Sequence, residues 1–103
     1  MKPIDVAAVK RRLEYDPDSG LLTWKINFHK SRVGAVAGTM DKKGYIAVKF
    51  DGRRYYAARL AWIIFHGEDI DQSMVLDHID RQRDNNRINN LRMVTHSENA
   101  FNR

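Results

Sequence analysis

Leu76-Asp77-His78-Ile79-Asp80 and Asn90-Leu91-Arg92-Met93-Val94-Thr95-His96-Ser97-Glu98-Asn99, joined by an Asn-, Asp- and Arg-rich loop from Arg81, decide the reading of this chain. Val75–Asp80 is apolar apart from Asp77, His78 and Asp80, and Leu91–Val94 reads as a second short strand. Thr95-His96-Ser97-Glu98 is a capping box, which opens a short helix and puts Asn99 in its first turn. This stretch also gathers Asp84, His96, Glu98 and four asparagines up to Asn90, groups that do not suit a simple core. Taken singly they are bland: Asp77-His78 is an ordinary acid–histidine pair, and asparagine-rich loops are usually turns because asparagine tolerates left-handed backbone.

Taken together they match the needs of phosphodiester hydrolysis. That reaction needs a base for water, which a neutral histidine supplies. It needs positive charge for the phosphate, which an oxygen-lined Mg²⁺ or Mn²⁺ supplies. It also needs groups that orient both, and a side-chain amide can orient an imidazole. One difficulty is geometric. Neighbours on a regular strand point to opposite faces, so Asp77 and His78 share a site only where the strand ends or distorts.

Upstream, residues 4 to 15 read as a helix with Asp5 as N-cap and Val6, Val9 and Leu13 on one face. Tyr15-Asp16-Pro17-Asp18-Ser19-Gly20 is dense in turn formers and stops it. Leu21–Lys25 reads as a strand and residues 27 to 43 as an exposed basic loop. Gly44 opens a strand with Ile46, Val48 and Phe50 on one face and Tyr45, Ala47 and Lys49 on the other. Asp51-Gly52 signals a tight hairpin with a return strand Arg53–Ala57. Ala58–Phe65 reads as a buried helix ended by Gly67, and Asp69–Met74 as a polar turn. Trp24 and Trp62 read as core, His29 and His66 as structural or surface residues, and His96 as facing solvent.

Length and composition bound the rest. At 103 residues with 43% hydrophobic content, the chain is expected to be one α+β domain: a helix and hairpin scaffold (1–74) followed by the motif (75–103). The absence of cysteine excludes disulfides and thiolate-bound structural zinc, so a metal would sit on oxygen or imidazole. No apolar run is long enough to span a bilayer and Met1–Asp5 lacks a signal-peptide core, so no membrane partner and a cytoplasmic location (the host cytoplasm, for a phage-encoded chain) are expected. The net charge of +5, from 18 Lys and Arg against 13 Asp and Glu, favours a polyanionic partner.

On Leu76–Asp80, Asp84–Arg92 and Val94–Asn99 the chain resembles the HNH endonucleases of phages and mobile elements, in the variant whose third signature position is Asn. Gly44-Tyr45-Ile46 through Arg59-Leu60-Ala61-Trp62, and Tyr15-Asp16-Pro17 with Gly20–Trp24, are similar to the segments preceding that motif in phage relatives. The resemblance implies a ββα-metal (His-Me) finger and metal-dependent DNA cleavage. It makes His78 the general base and Asn90 the residue that tethers the loop and orients His78. Asp77 and Asn99 become ligands of one divalent cation, Mg²⁺ first and Mn²⁺ next. DNA contacts are expected from Arg53, Arg54, Arg59, Arg81, Arg83, Arg87 and Arg92, with Lys25, Lys30, Arg32, Lys42 and Lys43 extending the footprint. A monomer would nick one strand, whereas a double cut would call for a homodimer. The competing readings are a DNA-binding protein that keeps the scaffold without catalysis, and a metal-binding module with no nucleic acid. Two departures stand out: Ala58 occupies a position where relatives often carry His, and the chain stops at Arg103, four residues after Asn99.

Overall fold

The computed structural model describes residues 4–26 and 33–101, so His29, Lys30 and Arg32 lie outside the described residues. The described chain mixes short helices with small antiparallel sheets.

Helix α1 covers Val6–Arg12, capped by the Asp5 carboxylate, which accepts the Ala8 N–H at 3.2 Å. It ends three residues earlier than its periodicity predicts. Leu13 turns extended (φ −128°, ψ 145°), and Leu13–Tyr15 become strand β1, paired antiparallel with β2, Leu22–Trp24. Leu13 and Tyr15 are buried opposite Trp24 and Leu22. Apolar residues at i and i+2 serve a strand as well as i and i+3 serve a helix, and here pairing outweighed local preference.

Part of the expected basic loop is structured. Val36 bridges Thr23, Ala37 is buried, and Thr39–Met40 form strand β3 on the edge of β4, Ile46–Phe50. The hairpin from β4 to β5, Arg53–Tyr56, turns over Asp51 and Gly52 at φ 53° and 73°, the left-handed pair a type I′ turn requires. Ala57 belongs to the next helix rather than to the strand. That helix, α2, runs Ala57–His66, and the Gly67 N–H closes it on Ile63 O at 2.8 Å.

Leu60, Ala61 and Ile63 of α2 are fully buried, and Val9, Leu13, Leu22, Trp24, Val48 and Leu91 join them in one cluster. Leu91 belongs to the downstream motif, so both parts of the chain contribute to one core. Trp24 is core as expected, and Trp62 packs against the core while its ring meets His66 at 4.1 Å.

Strands β6, Met74–His78, and β7, Leu91–Thr95, form an antiparallel ribbon followed by α3, His96–Phe101, which packs on both. Thr95 Oγ1 accepts the Glu98 N–H at 3.1 Å, and its hydroxyl meets Glu98 Oε1 at 3.1 Å. No helix among the described residues is long and apolar enough to cross a membrane.

Candidate nuclease site

His78 closes β6. It is 8% exposed, with its Nε2 2.8 Å from Asn86 Oδ1. This differs from the expected partner: Asn86, not Asn90, meets the imidazole. Asn90 is spent on the loop, donating from Nδ2 to Asp80 Oδ1 and to Asn85 O at 2.9 Å and accepting the Asp80 N–H at 3.0 Å. Its carbonyl also takes the Ile79 N–H at 2.9 Å, which extends the ribbon by one bond. Nothing in the sequence separated Asn86 from its asparagine neighbours, because only the path of the loop brings it back to a ring eight positions away.

Asp80 is the hub of this loop. Its carboxylate takes the Asn85 amide and the Gln82 N–H, each at 2.8 Å, besides the Asn90 amide. Those bonds, Asn85 first, hold its pKa below the ordinary carboxylate value of 3.8, with nearby His78 adding to the effect.

The expected break between Asp77 and His78 is absent. The ladder continues regularly through Asp77↔Arg92 and His78↔Leu91. Adjacent residues therefore diverge: His78 enters the interior, while Asp77 Oδ2 is held by Arg92 Nε and Nη2 at 3.0 and 2.9 Å. His78 opens instead onto a cleft of about 510 Å³, walled also by Tyr45, Arg54, Tyr56, Ala58, Arg59, His96 and Asn99. His96 is exposed, as expected, but stands at this cleft rather than away from it. Ala58 is buried in the wall, so the departure from the family pattern falls within the site.

A carboxylate and an amide oxygen are the right donors for a hard divalent cation. Asp77, however, is committed to Arg92 and is not part of the cleft wall that Asn99 shares with His78, so the two do not form a ready-made cation site. Among the described residues, no three His, Asp or Glu side chains gather into a metal-binding group.

The arginines divide by what holds them. Arg59 forks onto Asp69 and orders the backbone after α2; its side chain is 13% exposed. Arg87 bonds Asp18 O and Asn85 Oδ1, each at 3.0 Å, and Arg92 holds Asp77. Arg54 pairs with Asp41 at 2.9 Å but remains 58% exposed. Arg83 donates to Lys43 O at 2.9 Å and lies 4.9 Å above the Tyr45 ring. Arg53 and Arg81 are exposed, with no side-chain partner among the described residues. The sequence reading missed the aromatic wall: Tyr45 and Tyr56 stack at 4.7 Å, and Tyr45 lies 6.2 Å from His78. Their places on facing strands were legible, but their approach to His78 was not.

A buried histidine at the end of an antiparallel ribbon, fixed by an amide and opening on a cleft of tyrosines and arginines, defines a candidate hydrolytic site. Residues 55–101 match the HNH_3 family model, described as HNH endonuclease. The fold is similar to that of the HNH homing endonuclease I-HmuI, in a solved structure described as DNA binding and cleavage by that enzyme, with TM-score 0.68 and 24% identity. The similarity covers 99% of this chain and 57% of that one, so this chain spans little more than half of that enzyme. No curated protein matches the chain.

Proposed function

We propose that this protein is an endonuclease that hydrolyses DNA phosphodiester bonds, with His78 as general base. What carries the reading is the pairing of His78 Nε2 with Asn86 Oδ1. An acceptor oxygen there keeps the ring proton on Nε2 and leaves the Nδ1 lone pair free to take a proton from water. The resulting hydroxide attacks phosphorus, the phosphorus–oxygen bond to the leaving sugar oxygen breaks, and that oxygen is protonated from solvent. Arg54 in the cleft wall and Arg83 over the Tyr45 ring would meet the negative phosphate, and Arg53 and Arg81 would extend the basic surface.

The family resemblance adds one divalent cation, Mg²⁺ first, on Asp77 and Asn99, to stabilise charge on the phosphate. In the arrangement described, that set requires Asp77 to release Arg92, which would become available to DNA. Supercoiled plasmid incubated with purified protein across Mg²⁺, Mn²⁺ and Ni²⁺ tests the reading. Nicking that EDTA abolishes, and that His78→Ala lowers by about 10²- to 10⁴-fold, is the expected result. Binding without any cut across the metal series would sink it in favour of a non-catalytic DNA-binding role.

A further inference from the structure

The turn Tyr15–Gly20 has no part in the chemistry above, although it holds the loop behind His78 through four separate contacts. The Tyr15 hydroxyl donates to Asn86 O in a buried bond that joins residues far apart in the chain. The Ile88 N–H donates to Pro17 O at 3.2 Å, and Arg87 Nε to Asp18 O at 3.0 Å. Gly20 passes so close that a Cβ there would meet Asn86 C and Arg87 N at 2.6 Å. Only glycine allows this approach, and its φ of 79° excludes ordinary side chains independently.

These contacts converge on the residue that meets the imidazole. Asn86 is 3% exposed, with its carbonyl held by Tyr15 and its side-chain oxygen 2.8 Å from His78 Nε2. Fixing the Asn86 backbone fixes the direction of its side chain, and with it the group that selects the ring tautomer. Tyr15 is itself held in β1, opposite Leu22 of β2.

We propose that Tyr15 is a positioning residue for His78, acting through Asn86, with Gly20 providing the close approach that lets it do so. This rests on the hydrolytic reading of His78. Burial, reinforced by the charge of Asp16, pushes the Tyr15 hydroxyl up to about 12, which keeps it a donor across the neutral range.

The test reads the His78 ring directly. Long-range ¹H–¹⁵N correlation spectra of the whole chain, at one fixed pH where histidine rings are neutral, report which nitrogen carries the proton. The wild-type His78 is expected as a single Nε2–H tautomer, and Tyr15→Phe is expected to give a mixture. Single-turnover nicking is expected to fall about 10- to 100-fold while DNA affinity is unchanged, the signature of lost orientation. Gly20→Ala keeps the hydroxyl but displaces Asn86, and the same ring change is expected from it. If Tyr15→Phe does not fold, Gly20→Ala decides by the same spectrum. Ser19→Ala, whose hydroxyl accepts the Leu21 N–H within the turn, is the control and should leave the ring unchanged. An unchanged ring in Tyr15→Phe, or an equal change in Ser19→Ala, overturns the proposal. A wild-type chain that never nicks DNA overturns the hydrolytic reading instead, and the ring spectrum still decides whether Tyr15 positions His78.

Discussion

The β4–β5 and β6–β7 ribbons both reach the core that α2 fills, through Val48 and Leu91, and are closed in opposite ways. The β4–β5 ribbon turns over two residues, Asp51 and Gly52, whose left-handed dihedrals specify the turn locally. The β6–β7 ribbon is closed by residues 79–90, which cannot be specified by dihedral preference alone. Ordering that backbone costs on the order of 1–2 kcal/mol per residue, offset here by bonds among Asp80, Asn85 and Asn90 and by the contacts from Tyr15–Gly20. The long loop brings one amide, that of Asn86, to the candidate base, which a tight turn could not do. Local encoding makes a ribbon sturdy, whereas tertiary bracing lets one carry chemistry.

Substitutions can break this contrast. Leu60 is fully buried in α2, which packs on β4, on β5 and on the 3₁₀ turn Ile88–Asn90. Leu60→Ala should lower stability by about 2–5 kcal/mol in denaturant titration, and both ribbons should lose hydrogen-exchange protection together. Separate melting of one ribbon would show that they do not share this core.

Asn90→Ala should cost about 2 kcal/mol, because the Asp80 N–H and Asn85 O lose their partners in a partly buried place. Exchange should rise in residues 79–95 and stay unchanged in β4–β5; equal rises in both would refute the idea that the loop is braced separately. Gly52→Ala should reverse the pattern at about 1 kcal/mol. Nothing lies within 4 Å of an added Cβ, so only the left-handed dihedral opposes it.

The smallest effect is on pH. The Asp80 carboxyl is held below 3.8 in the folded chain, so its contribution is complete above that value and is lost as pH falls through the depressed folded one. Asp80→Asn should therefore destabilise at neutral pH and flatten the acid limb of the stability profile. An acid limb identical to wild type in circular dichroism melts would remove Asp80 from its role as hub.

Particular residues show how far the sequence could be read. Asp5, the Asp51-Gly52 turn, the Gly67 stop and the Thr95–Glu98 cap were legible because each acts within a few positions of itself. Leu13 and Tyr15 were read as the end of a helix, since the partner that makes them a strand, Leu22–Trp24, lies across a turn. At the site, His78 and Asn99 were identified through the resemblance and do line one cleft. Asn86 was missed and Asp77 was expected to face the same site, because hydrogen-bond partners and strand register are not written in spacing.

By itself, the sequence determined the chemistry available: a histidine, carboxylates and amides within one short stretch, no thiols, an excess of arginine, and caps and turns that punctuate the chain. Only the tertiary structure decided which of those groups meet. It gave His78 to Asn86, Asp77 to Arg92, Asn90 to Asp80 and Tyr15 to the Asn86 carbonyl. The physical reason is range. Capping and turn preferences act over a few residues, whereas each of these partnerships depends on strand register or on loops brought together by a common core, which no local preference encodes.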